Sequence, residues 1–191
     1  MAPAGSFESL AAALQGGADS VYFGIGKLNM RSRATANFAE EDLPEIVSRC
    51  HETGAKAYLT LNIIVYDEEL ETVRNLCAAA KAAGVDAVIA SDLAVITHAH
   101  SIGLEVHMSV QANVCNMASV RFYAQYADVV VLARELTLGQ IRRIIDGIRD
   151  EGIRGPSGDL IRVEIFAHGA LCVAVSGKCH MSLAAYNSSA N

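Results

Sequence analysis

The stretch KAYLTLNIIVYDEELETVRNLCAAAKAAGVDAVIA, residues 56–90, holds a complete strand–helix–strand unit. Its first six residues, Lys56–Leu61, are apolar and β-favouring apart from the lysine and Thr60, and its last four, Ala87–Ala90, form a second continuous apolar run. Between them Val73, Leu76, Cys77 and Ala80 recur at i, i+3, i+4 and i+7, the stripe of an amphipathic helix over residues 68–83. Gly84 follows where a left-handed helix cap is wanted. Two strands joined by so long a helical crossover run parallel, and unbroken apolar strands suit a sheet covered on both faces.

The same unit repeats outward in both directions. Strands are expected at residues 20–23, 105–108, 129–132 and 162–166, and successive strand starts lie roughly 18 to 36 residues apart, room for a helix each time. Helices are expected over residues 40–53, where Leu43, Ile46, Val47 and Cys50 form the stripe, and over residues 92–102. Two more follow: residues 117–126, capped by Asn116, and residues 137–150, with Leu138, Ile141, Ile144, Ile145 and Ile148 facing inward. Gly155-Pro156 and Gly158 mark the loop 152–159. Six full strands, with a stub at Met1-Ala2, make an α/β protein. The expected architecture is a TIM-like (β/α) barrel, incomplete at the C-terminus, because a closed barrel needs eight strands and about 250 residues. Residues 1–191 are read as a single N-terminal barrel domain. Further sequence is expected after Asn191, since residues 186–191 read as mid-loop.

Composition narrows the function classes. With 52% hydrophobic and 19% charged residues the chain is globular. A net charge of −6 argues against a surface that grips nucleic acid everywhere, leaving a local basic patch or another domain for any such contact. The first six residues lack the basic flank and apolar core of a signal peptide, and no apolar run approaches the roughly 18 residues of a membrane span. A cytoplasmic protein with no membrane partner is expected, and its five cysteines are then thiols or metal ligands, not a disulfide framework.

In parallel α/β folds the site lies at the carboxyl ends of the strands. That rule selects Asn62, Ser91, Asp92, Ser109, Gln111, Arg134, Glu135 and His168. Asp92 also reads as an ordinary helix cap. Arg134 and Glu135, side by side after an apolar strand, are candidate catalytic or ligand-facing residues together with His168; a local ion pair closing the rim is the structural alternative. Asn62 and Gln111 are candidate substrate-binding residues. Arg31 joins them from the loop 27–37, where Lys27, Arg31 and Arg33 could clamp an anion or simply be solvated. Gly24-Ile25-Gly26 lacks the third glycine of a dinucleotide fingerprint.

Cys50 and Cys77 sit on apolar helix stripes and read as core residues; Cys115 reads as structural. Cys172 and Cys179 are off any stripe, in the glycine-punctuated segment 168–179. Paired thiolates select zinc or iron–sulfur centres, yet two are too few for a four-ligand shell, and two free thiols remain an alternative. His168, His180 or residues after Asn191 would have to complete the shell. No zinc-protease motif, nucleophile elbow or P-loop is present.

Glu164-Ile165-Phe166-Ala167-His168-Gly169-Ala170-Leu171-Cys172, followed by Gly177-Lys178-Cys179-His180-Met181-Ser182, resembles the signature of the collagenase-like peptidase family U32. Agreement extends to residues 2–6, Val21-Tyr22-Phe23-Gly24, Asn29-Met30-Arg31, Leu61-Asn62 and residues 132–136, so it covers essentially the whole chain. The resemblance implies a TIM-barrel-like N-terminal domain followed by further cysteines. Some members are described as proteases. Others resemble oxygen-independent hydroxylation proteins that carry a four-iron four-sulfur cluster and act on tRNA, ribosomal RNA or a quinone precursor, with prephenate implicated as oxygen donor in the RNA branches. Cys172 and Cys179 match the first two cluster cysteines of that pattern, and residues 186–191 look most like the RNA side. The implied function is iron–sulfur-dependent hydroxylation of RNA, with Arg31 and Arg134 holding a small anion such as prephenate. A peptidase and a non-catalytic barrel partner in a complex are the alternatives. With half its ligands, the chain alone is expected to hold no stable cluster.

Overall fold

A computed structural model of the chain describes residues 1–26, 28–29, 38–169 and 174–178. The chain divides into two compact units, Met1–Glu105 and Val106–Asn191. Each alternates strand and helix, and its strands pair in parallel with their sequence neighbours, as the crossover lengths require.

The first unit runs β1 (Ala2–Ala4), α1 (Phe7–Gln15), β2 (Ser20–Gly24), α2 (Leu43–Glu52), β3 (Lys56–Leu61), α3 (Leu70–Ala83), β4 (Ala87–Ala90) and α4 (Leu93–Ser101). The expected stub is a true strand, with Ala2 opposite Val21 and Ala4 opposite Phe23. Phe23, Leu59, Leu61 and Val88 from the strands are buried, as are Leu43, Ile46, Val73 and Leu76 from the helices. The α2 and α3 stripes therefore face inward as read. Both helices start later than their periodicity suggests, after the short 3-10 turns Glu40–Asp42 and Asp67–Glu69. There Asp42 accepts from the Ala39 N–H at 2.8 Å and Glu69 from the Tyr66 N–H at 2.9 Å, so acidic side chains cap the turn. Helix α1 escapes the sequence reading because Leu10 is its one buried residue. Its start is fixed by reciprocal capping: Ser6 Oγ accepts from the Ser9 N–H and Ser9 Oγ from the Ser6 N–H.

The second unit holds β5 (Glu105–Met108, all but its first residue), α5 (Met117–Tyr123), β6 (Val129–Val131), α6 (Leu138–Glu151) and β7 (Arg162–Glu164). Three expectations are corrected here. β7 stops at Glu164, and Ile165 and Phe166 beyond it are exposed. Helix α5 ends at Tyr123, because the chain turns there to start β6, where the Asp128 N–H donates to Val106 O at 3.1 Å. Leu138, expected to face inward, is 80% exposed: it is the first residue of α6, directly after the Thr137 cap, while Ile144 and Ile148 are buried. Arg121 on α5 grips Glu151 on α6 with two hydrogen bonds of 2.6 and 2.7 Å. Buried Asp128 accepts from the Ser157 N–H at 2.9 Å and so shapes the loop before β7.

The observed class is α/β with parallel strands in sequence order. Among the described residues, no helix is long and apolar enough to cross a membrane.

Candidate functional site

The clearest polar constellation belongs to the second unit and begins where β6 ends. Leu132 forms a parallel bridge with Val114, and the Ala133 N–H donates to Val114 O at 2.9 Å. This staple delivers Arg134 and Glu135 to the carboxyl end of the strand. Glu135 Oε1 accepts from the Ser176 N–H at 2.6 Å. Arg134 Nη2 donates to Ala174 O at 3.1 Å, and Arg134 N–H and Nε–H approach Ser176 Oγ at 3.4 and 3.5 Å. Ser176 is buried although both partners are exposed. The Lys178 N–H donates to Val175 O at 2.9 Å and closes a turn around it.

Gln111 meets the same turn from another side. It lies in the 3-10 turn Val110–Ala112 after β5, where Ser109 Oγ accepts from its N–H at 3.3 Å. Gly177 has a φ of +75°, and a Cβ there would stand 2.1 Å from the Gln111 carbonyl oxygen. Both the backbone conformation and the approach require glycine. Gln111, Arg134 and Glu135 thus converge on residues 174–178.

Burial pushes the Glu135 carboxyl up. The Ser176 N–H, its own N–H, the Ser176 hydroxyl and the Arg134 guanidinium outweigh burial, and the net shift is downward. Glu135 is therefore held as an anion that accepts from the turn.

The other candidates are placed differently. Asn62 is half-buried after β3, in the first unit, and has interactions of its own there. Asp92 caps α4, accepting from the Ala94 N–H at 2.8 Å and from the Val65 N–H at 3.1 Å. His168 is exposed in the bend after β7. Arg31, with its neighbours Lys27 and Arg33, lies outside the described residues, as do Cys172 and Cys179.

The sequence reading passed over His107 and Glu164. His107 stands opposite Val129, and Glu164 opposite Val131. Residues two apart on a strand share a face, so both side chains lie on one face of the β5-β6-β7 sheet. His107 is buried. Burial raises the Glu164 carboxyl above its usual range, and the neighbouring His107 pulls it the other way. A signal was available at each: Val106-His107-Met108 and Val163-Glu164-Ile165 set a polar residue between two apolar ones.

Among the described residues no three His, Cys, Asp or Glu side chains converge as a metal site. Burial pushes the Cys50 thiol up to about 11, with Asp86 adding to it, and burial pushes Cys77 up to about 11. Both are core thiols, as their stripes implied, and neither is a thiolate at neutral pH. Cys115, read as structural, is exposed. Cys172 and Cys179, the thiols paired in the sequence reading, flank the turn 174–178 in sequence and lie outside the described residues. Two sulfurs there fit an iron–sulfur centre in kind and supply half its usual ligand number.

A family model for peptidase family U32 matches residues 5–191. The chain belongs to peptidase family U32. Within the family it is 54% identical, over its whole length, to a protein of Porphyromonas gingivalis (strain ATCC BAA-308 / W83) named collagenase, and covers 46% of that protein. It is 36% identical over 186 residues to the tRNA hydroxylation protein P of Escherichia coli (strain K12), with 95% of this chain and 38% of that protein covered. This U32 chain thus spans less than half the length of either relative. The solved U32 peptidase Mk0906 matches its fold with a TM-score of 0.64 at 15% identity, covering 86% of this chain and 65% of that one.

Proposed function

We propose that this U32 chain is the N-terminal, barrel-forming part of an iron–sulfur-dependent, oxygen-independent hydroxylation protein acting on tRNA or ribosomal RNA. The observation that carries the reading is the pinned turn 174–178: the segment between the two signature cysteines is anchored by Glu135, Arg134 and the Gln111 backbone. A loop that presents two ligands needs such support, because partners behind the ligands set their orientation. Similarity to the tRNA hydroxylation protein of Escherichia coli supports the substrate class.

Cys172 and Cys179 would hold two corners of a four-iron four-sulfur cluster, with the remaining ligands supplied from outside this chain. A cluster bound there supplies one-electron redox chemistry. The chain's own residues bind and orient. Arg134 spends donors on the turn, yet a guanidinium carries five, which leaves some for a small anion such as prephenate alongside Arg31. Glu164, whose carboxyl burial raises, stands on the same sheet face as buried His107. In this reading the parallel units form an incomplete TIM-like barrel in a cytoplasmic protein.

Anaerobic reconstitution of the full-length protein tests the reading, with iron and sulfide assays and visible absorption. Wild type is expected to bind a cluster, and Cys172→Ala/Cys179→Ala to lose it. An empty wild type, or an unchanged spectrum in the double variant, sinks the proposal.

The 54% identity to a protein named collagenase favours a second reading, a peptidase. Cleavage of a gelatin peptide by metal-free, thiol-blocked protein would support a hydrolase and exclude a cysteine nucleophile.

A further inference from the structure

The carboxyl ends of β3 and β4 carry three large apolar side chains that the fold leaves in solvent. Ile64 is 42% exposed, Tyr66 56% and Leu93 55%. One hydrogen bond gathers them. The Val65 N–H donates to Asp92 Oδ2 at 3.1 Å; Ile64 and Tyr66 flank the donor, and Leu93 follows the acceptor. Backbone contacts fix the arrangement, since Asp92 also accepts from the Ala94 N–H at 2.8 Å and Glu69 from the Tyr66 N–H at 2.9 Å. Single apolar side chains on a surface are ordinary, but a gathered set marks a contact site. In parallel α/β folds this end of the strands is also where ligands bind.

Charge narrows what the partner is. Asp67 and Glu68 follow Tyr66 directly, are exposed and make no ion pair among the described residues. Their place before α3 suits the helix dipole, but that role needs no apolar neighbours. No lysine or arginine occurs in residues 57–73, which carry Ile64 and Tyr66, or in residues 82–105, which carry Leu93. The imbalance extends to the whole unit: residues 1–105 hold fourteen Asp and Glu against seven Lys and Arg, and residues 106–191 hold seven against eight. Such a rim repels a polyanion and offers its phosphates no counter-charge. A polypeptide that sets lysine or arginine beside apolar side chains matches both the apolar set and the acids.

We infer that Ile64, Tyr66 and Leu93, with Asp67 and Glu68 beside them, form a docking surface for a basic, apolar polypeptide segment of another protein. The inference goes beyond the hydroxylation reading and does not depend on iron. It gives this rim to protein and leaves any RNA to other parts of the full-length protein. Tyr66 is the anchor, because it is the largest and most exposed of the three and a tyrosine offers a broad apolar face with a polar tip. The two acids set the choice of partner.

Fluorescence anisotropy with the full-length protein tests this. The probes are short labelled peptides of leucine and phenylalanine combined with lysine, with glutamate or with serine, and an oligouridylate. Wild type is expected to bind the lysine peptide about tenfold tighter than the glutamate peptide, with the serine peptide between them. Tyr66→Ser/Leu93→Ser is expected to weaken the lysine peptide about tenfold. Asp67→Lys/Glu68→Lys is expected to reverse the preference toward the glutamate peptide. Protection of the Val65 amide from hydrogen exchange shows in each variant that the bond to Asp92 persists.

Equal affinity for the three peptides overturns the inference, and so does a lysine-peptide affinity that neither double variant changes. Oligouridylate binding that weakens in Tyr66→Ser/Leu93→Ser gives the rim to nucleic acid and overturns it as well. If one double variant fails to fold, the other decides alone, because each is expected to change the peptide preference by itself. Failure of the full-length protein to bind a cluster overturns the iron–sulfur reading and leaves this result as it stands.

Discussion

At the carboxyl end of β4, Asp92 gathers the N–H groups of Val65 and Ala94. At the carboxyl end of β6, Glu135 gathers the N–H of Ser176. The chemistry is the same, a carboxylate accepting from backbone, yet the outcomes differ. Asp92 joins a helix start to the loop of the preceding strand, both parts of a well-packed unit in which Leu59, Val88, Val95 and Ile96 are fully buried. Glu135 and Arg134 hold a short segment, 174–178, in which Val175 is exposed. A strand-end carboxylate therefore tells little by its position alone. What it receives, a helix already committed by its own core or a short turn reached from a distant strand end, decides whether it serves the scaffold or the site.

That contrast can be broken from the scaffold side. Leu59→Ala should destabilise the protein by about 3 kcal/mol in chemical denaturation, since it empties a fully buried position. A comparable loss of protection at residues 174–178 under native conditions would show that the turn depends on the first unit's core and not on Glu135 and Arg134. Asp92→Ala should cost about 1 kcal/mol, the usual value of a lost helix cap, and raise exchange at Val65 and Ala94 only. The smallest effect is acidic. The folded Glu135 carboxyl lies below its ordinary value of 4.5, so its contribution is complete above that value and is lost as pH falls through the lower folded one. Amide chemical shifts of residues 174–178 should move in that window while those of β3 stay fixed. Movement of the turn at neutral pH instead would assign its control to another group.

The fold was legible wherever apolar spacing was strict. Lys56–Leu61, Ala87–Ala90 and Glu105–Met108 match their expected bounds to the residue, and the stripes of α2 and α3 are buried as read. Periodicity failed where the stripe was thin, as in α1 with its single buried leucine, and at ends set by capping, as at Leu138. The strand-end rule picked out Gln111, Arg134 and Glu135, which do converge. What they converge on was illegible, because Ser176 and Gly177 lie more than forty residues away and local spacing does not say which strand end they meet. His107 and Glu164 were legible as polar residues between apolar neighbours and were passed over in favour of the loops.

The separation between Arg134 and Ser176, 42 residues, has a consequence in time. Domains generally acquire structure from the amino end during synthesis, at about 5 to 20 residues per second, so the rim of β6 leaves the ribosome roughly 2 to 8 seconds before the turn it receives. The earlier strands can already be in place when residues 174–178 arrive. In the growing chain, the rim of β6 is a docking point made ready in advance, and the turn 174–178 meets a waiting partner instead of searching for one.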